Sequence, residues 1–146
     1  MKNTEAATNL RMTRQRRIIL EELCKLKSHP TAYDLHDLVR DRLPNVSLAT
    51  VYRNLEILSD QGIIQRLDTG PGQRRFDGNP TPHSHVRCIS CGSVADSSSA
   101  PEGLNEAGQV CSECGYLILG CTIEYTGLCP KCRKDPADAP ATNWEV

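Results

Sequence analysis

The chain has 146 residues, which is enough for one domain or two small ones. Apolar residues make up 38% and charged residues 24% of it, the proportions of a soluble globular protein. No apolar run reaches the roughly 18 residues that a membrane span needs, and the N-terminal segment has no signal-peptide core. We therefore expect a cytoplasmic protein that has no membrane partner.

The net charge of −1 is distributed unevenly along the chain. Residues 1–76 contain 13 basic and 9 acidic side chains, whereas residues 77–146 contain 4 basic and 9 acidic ones. A basic N-terminal half suits a polyanionic partner such as nucleic acid, and an acidic C-terminal half suits metal or dimer contacts.

Three helices are predicted in the basic half, because apolar residues recur there at helical spacing. The first begins at Thr13 and ends at the segment before Pro30, since a residue preceding proline avoids helical geometry. The second begins with a capping box formed by Thr31 and Asp34. The third is capped by Ser47, carries Leu48 on its expected apolar face, and ends at a glycine.

A basic hairpin is predicted after the third helix. Residues 63–67 have the composition of a strand, residues 68–72 that of a turn, and residues 73–76 that of a return strand. Two short helices with a tight turn, followed by such a hairpin, predict a winged helix-turn-helix domain over residues 1–76. This order of elements favours DNA binding over an ordinary solvated helix surface.

The third helix would then be the recognition helix. Its outward face could read bases, with Arg53 on a guanine edge and small or aromatic side chains on thymine methyl groups. Cations of the first helix and the hairpin would meet phosphates, which position a protein without specifying sequence. The candidate DNA-binding residues are Arg16, Ala49, Thr50, Tyr52, Arg53, Arg74 and Arg75.

The composition changes at Asp77. A proline-rich segment predicts a hinge over residues 77–82, followed by a small α/β domain over 83–134 and a tail over 135–146. The whole fold is therefore expected to be α+β. The second domain has few large apolar residues, and a domain this small usually needs a metal to stabilise it.

Six of the eight cysteines form three Cys-x-x-Cys pairs. In a reducing compartment such pairs are more often metal ligands than disulfides, and two pairs together supply the four thiolates of a structural zinc site. Spacing alone leaves all three combinations open among Cys88/Cys91, Cys111/Cys114 and Cys129/Cys132. Outside the pairs, Cys24 lies in an apolar helical stretch, where we expect a buried, inert thiol.

Several motifs occur here in the order found in one family: Thr13-x-Gln-Arg16, His29-Pro-Thr-Ala32, Ser47-Leu-Ala-Thr-Val-Tyr-Arg-Asn-Leu55, His83-x-His85, Cys88-x-x-Cys91-Gly and Gly127-Leu-Cys-Pro-Lys-Cys132. Over residues 10–133 the chain closely resembles the ferric uptake regulator family of metal-dependent repressors. The resemblance implies a homodimer that binds a palindromic DNA operator. It also implies an amphipathic helix within residues 97–114, where this sequence offers few apolar anchors.

The resemblance assigns two metal sites. Structural Zn²⁺ would be held by Cys88, Cys91, Cys129 and Cys132. Regulatory Fe²⁺ or Mn²⁺ would be held by His29, Asp77, His83, His85 and Asp96. Cys111 and Cys114 match no family position, so the resemblance gives them no role, and His36 matches no ligand position.

Aspartate at both carboxylate positions of the regulatory site resembles the peroxide-stress branch of the family. In that branch bound Fe²⁺ reacts with hydrogen peroxide and a histidine ligand is oxidised, here His29 or His83, so that metal is lost and repression ends. The alternative is an iron- or zinc-responsive uptake repressor without peroxide chemistry. A thiol switch at Cys111 and Cys114 is a further possibility, and we do not expect an enzyme, because no general base stands at a familiar spacing.

Overall fold

A computed structural model describes residues 10–68, 74–98, 110, 113–119 and 122–133. The chain divides into two compact units, Met1–Thr81 and Pro82–Val146, and each is described by itself. Most of the helix expected within residues 97–114 lies outside the described residues. Across the described ranges, every helix is too short to cross a membrane.

Unit 1 contains three helices: α1 (Arg14–Cys24), α2 (Ala32–Val39) and α3 (Leu48–Asp60). Each begins where the sequence predicts, because a hydroxyl side chain caps its first turn. The Thr31 hydroxyl accepts from the Asp34 backbone N–H while the Asp34 carboxylate accepts from that of Thr31, which completes the expected capping box. Gly62 ends α3 with a φ of 67°, a left-handed conformation that glycine adopts without strain.

The core of unit 1 lies between these helices and the hairpin that comes after them. Its fully buried side chains include Ile19, Leu35 and Leu55. Leu48 was expected on the apolar face of this helix, but it does not join the core. It is 40% exposed, because it is the first residue of α3 and lies beyond the packed turns. Asn54 is buried instead, and its amide donates to the Thr50 carbonyl at 2.9 Å.

The hairpin consists of β1 (Gln65–Leu67) and β2 (Arg75–Asp77), paired antiparallel with Arg66 opposite Phe76. The first strand begins two residues later than predicted and the second extends to Asp77. The Phe76 N–H also donates to the Pro30 carbonyl at 3.0 Å, and Thr31 forms an isolated bridge with Arg75. The segment before α2 is therefore attached to the free edge of β2.

Unit 2 contains a three-stranded sheet of β3 (Ser84–Cys88), β4 (Val94–Ser97) and β5 (Glu124–Gly127) in the order β4-β3-β5. β3 pairs antiparallel with β4 and parallel with β5. Sequence reasoning located β3 but not the bounds of the other two strands. Cys88 and Val94 are the buried apolar residues of the described part of this unit, so its core is as thin as expected.

Two side chains differ from their expected surroundings. Cys24 is exposed rather than buried, because it is the last residue of α1, although the chain at Gly78 lies against it. A Cβ at Gly78 would lie 3.0 Å from the Cys24 Cα, so a larger residue there would have to displace the end of α1 by a few tenths of an ångström. His36, expected at the surface, is half-buried, and its Nε2 is 3.0 Å from the Val46 carbonyl oxygen.

Phe76 is the largest fully buried side chain of unit 1. We predict that Phe76→Ala lowers the free energy of unfolding by about 3–5 kcal/mol, because the cavity adds to the lost burial. Tyr33→Ala is the matched control, since Tyr33 is 62% exposed. Chemical denaturation would measure both, and equal losses would show that Phe76 does not anchor the core.

Candidate metal centres and DNA-binding surface

The parallel pairing of β3 with β5 brings two cysteine pairs together. Parallel strands end at the same edge of a sheet, and Cys88 at the end of β3 pairs with Gly127 at the end of β5. The Ile89 N–H donates to the Gly127 carbonyl at 2.9 Å, which extends this pairing past the strands. Cys129 comes two residues later and therefore lies beside Cys88.

The four thiols of Cys88, Cys91, Cys129 and Cys132 lie within 4.8 Å of one another. The Sγ atoms of Cys91 and Cys129 are 3.7 Å apart. A tetrahedral site with Zn–S bonds of about 2.3 Å requires sulfur atoms about 3.8 Å apart, so this spacing and the four soft donors fit Zn²⁺. The turn after Cys91 uses Gly92 at a φ of 72°.

Backbone hydrogen bonds favour the thiolate form of two of these cysteines. The N–H of Cys129 donates to Cys88 Sγ at 3.3 Å, and this bond is the main cause that lowers the pKa of Cys88 to about 6. The pKa of Cys129 is also lowered, chiefly by the backbone N–H of Cys132. These two cysteines therefore favour the deprotonated sulfur that metal ligation needs. Although a hydrogen bond with Ser90 lowers the pKa of Cys132, the neighbouring thiols of Cys129 and Cys91 raise it to about 11.

A second set of candidate ligands, His29 and Asp77, lies in unit 1. The attachment of the 29–31 segment to β2 brings His29 Nδ1 to 3.7 Å from Asp77 Oδ1. Both side chains are at least 95% buried. The Asn79 N–H donates to the same Asp77 oxygen at 2.8 Å and fixes the carboxylate.

The backbone of His29 is in the left-handed region, with a φ of 47°, which non-glycine residues adopt uncommonly. Such conformations persist where the surrounding structure enforces them, and they concentrate at functional sites. Two neighbours restrict the backbone of His29: the Arg75 guanidinium donates to the His29 carbonyl at 3.0 Å, and Pro30 is the next residue.

A third set of candidate ligands lies in unit 2. His83 and His85 are two residues apart and point to one face of the sheet, with ring centroids 4.3 Å apart. Asp96 on β4 is the cross-strand partner of His85. One oxygen of Asp96 lies 2.9 Å from His83 Nε2 and 3.6 Å from His85 Nε2. Imidazole and carboxylate donors of this kind suit Fe²⁺, Mn²⁺ or Zn²⁺.

Comparison with known proteins decides the family. The sequence model of the ferric uptake regulator family matches residues 7–126, most of the chain. The chain belongs to the ferric uptake regulator family. Among its relatives, the peroxide operon regulator of Bacillus subtilis (strain 168) is 35% identical over 128 residues, which cover 87% of each chain.

Solved structures of other family members share the fold. The Campylobacter jejuni peroxide stress regulator has a TM-score of 0.65 at 29% identity, over 83% of this chain and 88% of that one. A zinc uptake regulator in complex with zinc and DNA has a TM-score of 0.61 at 28% identity, over 87% of this chain and 86% of that one. The α+β fold predicted from the sequence is thereby confirmed.

The candidate base-reading residues of this family member lie on α3. Ala49 and Arg53 are exposed, and Thr50 is half-buried at the start of the helix. Tyr52 is 38% exposed because its ring packs edge-on against Phe76, with centroids 6.3 Å apart. Its hydroxyl accepts from Arg74 at 3.3 Å, so the hairpin and α3 are linked at this surface.

The three arginines expected at phosphates all have partners within unit 1. Arg16 Nε donates to the Asn54 side chain at 3.1 Å, Arg75 donates to the His29 carbonyl, and Arg74 donates to Glu56 at 3.1 Å. Arg74 is the most accessible of them, with a side chain that is 46% exposed. Sequence reasoning missed Glu56, although an acidic residue on a helix facing a cationic hairpin was a usable signal.

We predict that Cys91→Ser removes chelator-resistant zinc from the chain and lowers the melting temperature of unit 2. Three remaining thiolates hold Zn²⁺ more weakly than four, and the thin core of this unit does not compensate. Zinc content after chelator treatment and thermal unfolding would measure both effects. Cys24→Ser is the control, and a Cys91→Ser variant that retains the same zinc would rule out ligation by Cys91.

Proposed function

We propose that the chain is a metal-dependent transcriptional repressor that binds DNA as a homodimer in the cytoplasm and senses peroxide. The observation that supports this best is the composition of the two histidine–aspartate groups, in which both carboxylates are aspartates. The proposal is also supported by 35% identity to a peroxide operon regulator. The chain is proposed to bind and respond rather than to catalyse, as its relatives are regulators.

In this proposal each part of the chain has one task. Residues 1–76 form the DNA-binding domain, 77–82 the hinge, and 83–134 the dimerisation domain, with a tail over 135–146. The thiolates of Cys88, Cys91, Cys129 and Cys132 hold a structural Zn²⁺ that stabilises the second domain. Recognition helices of two protomers read the two halves of a palindromic operator.

We further propose that one regulatory ion takes ligands from both domains. His29 and Asp77 would supply donors from the DNA-binding side, and His83, His85 and Asp96 from the other side. An ion that all five residues bind favours one angle between the domains, and a ligand shifts an equilibrium by its differential affinity for the two states. Metal would then act as corepressor because the DNA-binding arrangement holds it better.

The peroxide response is proposed to depend on the imidazoles. Bound Fe²⁺ would supply the electrons that reduce hydrogen peroxide beside the histidine ligands. His29 and His83 are the proposed sites of oxidation, and an oxidised ring is a poorer nitrogen donor than imidazole. The ligand set would then lose affinity for the ion, and the protein would lose its operator-binding arrangement.

On the DNA side, we propose that Arg53 reads a guanine edge while Ala49, Thr50 and Tyr52 contact thymine methyl groups. Arg16, Arg74 and Arg75 would contact phosphates. The bond between Arg74 and Glu56 supports a wing held against the recognition helix before DNA arrives, which reduces the entropy lost on binding.

We predict that His29→Ala weakens metal-dependent operator binding by more than about tenfold, because one domain loses its imidazole ligand. Zinc content and dimer mass should not change. Fluorescence anisotropy with an operator selected in vitro, titrated with Mn²⁺, would measure the effect.

The controls address folding of unit 1, since Ala is strained at a positive φ. His29→Asn removes the imidazole with a residue that tolerates this conformation, and it should behave like His29→Ala. His36→Asn removes a histidine outside the proposed site and should retain the metal response. An unchanged metal response in both His29 variants would contradict the shared regulatory ion.

We predict that the Fe²⁺-loaded chain gains about one oxygen atom on His29 or His83 after brief exposure to hydrogen peroxide, and that operator binding is lost in parallel. Peptide mass spectrometry would locate the addition. The Mn²⁺-loaded chain is the control, because Mn²⁺ does not reduce peroxide in this way, and the peptide carrying His36 is an internal control.

Two outcomes would contradict peroxide sensing by histidine. Unmodified histidines with intact operator binding would favour the alternative, an iron- or zinc-responsive uptake repressor. Loss of binding with unmodified histidines and a disulfide between Cys111 and Cys114 would favour a thiol switch.

A further inference from the structure

Gln65, the first residue of β1, binds the chain that leaves the hairpin of unit 1. Its Nε2 donates to the Asn79 carbonyl at 3.0 Å and to the Thr81 carbonyl at 2.8 Å. A carboxamide nitrogen carries two N–H donors, one for each of these carbonyls. The opposite orientation of the amide would bring its oxygen against two carbonyl oxygens with no hydrogen between them. The direction of both bonds is therefore determined.

Asn79 is held at three of its polar groups. Its N–H donates to Asp77 Oδ1 at 2.8 Å, and its carbonyl accepts from Gln65. Its side-chain Oδ1 accepts from the Thr81 N–H at 3.0 Å. The next residue, Pro80, has a fixed φ and no N–H to donate. The path of the chain after β2 is thus fixed on one side by the Asp77 carboxylate and on the other by the Gln65 amide.

The pairing of the hairpin explains why Gln65 reaches this segment. Gln65 at the start of β1 is the cross-strand partner of Asp77 at the end of β2. Residues directly opposite each other on neighbouring strands have side chains on the same face of the sheet. The Gln65 side chain therefore lies on the face of the Asp77 carboxylate, at the end of the hairpin where the chain continues to Asn79.

Hydrogen-bond satisfaction alone does not require the contact. Asn79 and Thr81 are exposed, so water is available to both of their carbonyls. The Asp77 side chain is only 5% exposed, and its Oδ1 lies 3.7 Å from His29 Nδ1. Asn79 joins the two environments, because its carbonyl binds Gln65 while its N–H binds the buried carboxylate. The contact therefore acts on the orientation of that carboxylate.

We propose that Gln65 is a positioning residue for Asp77 as a ligand of the regulatory ion. Gln65 holds Asn79 by its carbonyl, and the N–H of Asn79 fixes one oxygen of Asp77. A carboxylate has roughly four acceptor positions, so this single N–H leaves the group able to bind a cation. The inference rests on the proposed function, in which Asp77 binds that ion. Removal of a group that orients a metal ligand lowers metal affinity by about 10–100-fold.

Hydrogen exchange in the metal-free chain tests the contact itself. Gln65→Met keeps an unbranched side chain of similar length and removes both donors. We expect the backbone amides of Asn79 and Thr81 to exchange about threefold faster in this variant, measured by NMR, because their carbonyls lose the bonds that order the segment. Gln61→Met is the matched control, since Gln61 is exposed at the end of α3, and it should leave both exchange rates unchanged.

The affinity for Mn²⁺ tests the role. Free Mn²⁺ would be measured by electron paramagnetic resonance during titration of the zinc-loaded chain. Gln65→Met should lower the affinity by about tenfold. In an Asp77→Asn background, where the charged ligand is already lost, the same change should lower it by less than about twofold. Zinc content and circular dichroism should match wild type in all variants, which shows that they are folded.

Three results would overturn the proposal. Unchanged amide exchange at Asn79 and Thr81 in Gln65→Met would show that the amide does not hold this segment. Unchanged Mn²⁺ affinity would show that the held segment does not position a ligand. An equal loss of affinity in both backgrounds would show that Gln65 stabilises the hairpin in general and does not act through Asp77.

Failure of the proposed function is distinguishable from failure of this inference. An unchanged metal response in the His29 variants would contradict the shared regulatory ion itself. A metal response that His29→Asn removes and Gln65→Met leaves intact would retain the regulatory site and overturn only the role of Gln65. The exchange measurement needs no bound ion, so it tests the contact in either case.

Discussion

The pairing of β3 on both sides is the constraint on which unit 2 depends. Its parallel contact with β5 brings the ends of the two strands together and groups four thiols. Its antiparallel contact with β4 brings Asp96 opposite His85. One five-residue strand therefore carries candidate ligands of two sites, with His85 as its second residue and Cys88 as its last. A change in the register of β3 would disturb both sites at once.

Unit 1 uses a related arrangement at the edge of its hairpin. The segment before α2 pairs with β2 through Pro30 and Thr31, and this contact brings His29 beside Asp77 although the sequence separates them by 48 positions. The left-handed conformation at His29 results from the same attachment. Local backbone strain and a long-range strand contact together orient this buried pair of candidate ligands.

Much of the fold of unit 1 could be predicted because its signals are local. Helical spacing, hydroxyl caps and the Thr31–Asp34 capping box determine where helices begin, and the structure agrees there. Leu48 and Cys24 were mispredicted since helical period assigns a face but does not reveal where a helix end leaves the core. The burial of a helix end depends on which neighbouring segments cover it. The spacing of apolar residues along one helix carries no information about those segments.

The metal sites show the same division. The residue types and spacings of the cysteine pairs indicated thiolate ligation, but spacing alone could not choose among three pairings. That choice depends on a parallel contact between strands 36 residues or more apart in sequence, which no local pattern encodes. The resemblance to known regulators implied which two cysteine pairs hold zinc, and it implied no role for the pair Cys111 and Cys114.

One contact in unit 1 has a thermodynamic consequence. Arg75 is a proposed phosphate contact, and its guanidinium already donates to the carbonyl of His29, a proposed metal ligand. Two ligands that favour the same state of a shared element are coupled, and the coupling free energy is the same in both directions. If bound metal raises the affinity of the protein for its operator by some factor, the bound operator must raise the affinity for metal by the same factor. A repressor bound to its operator would then have a higher affinity for the ion than the same protein free in solution.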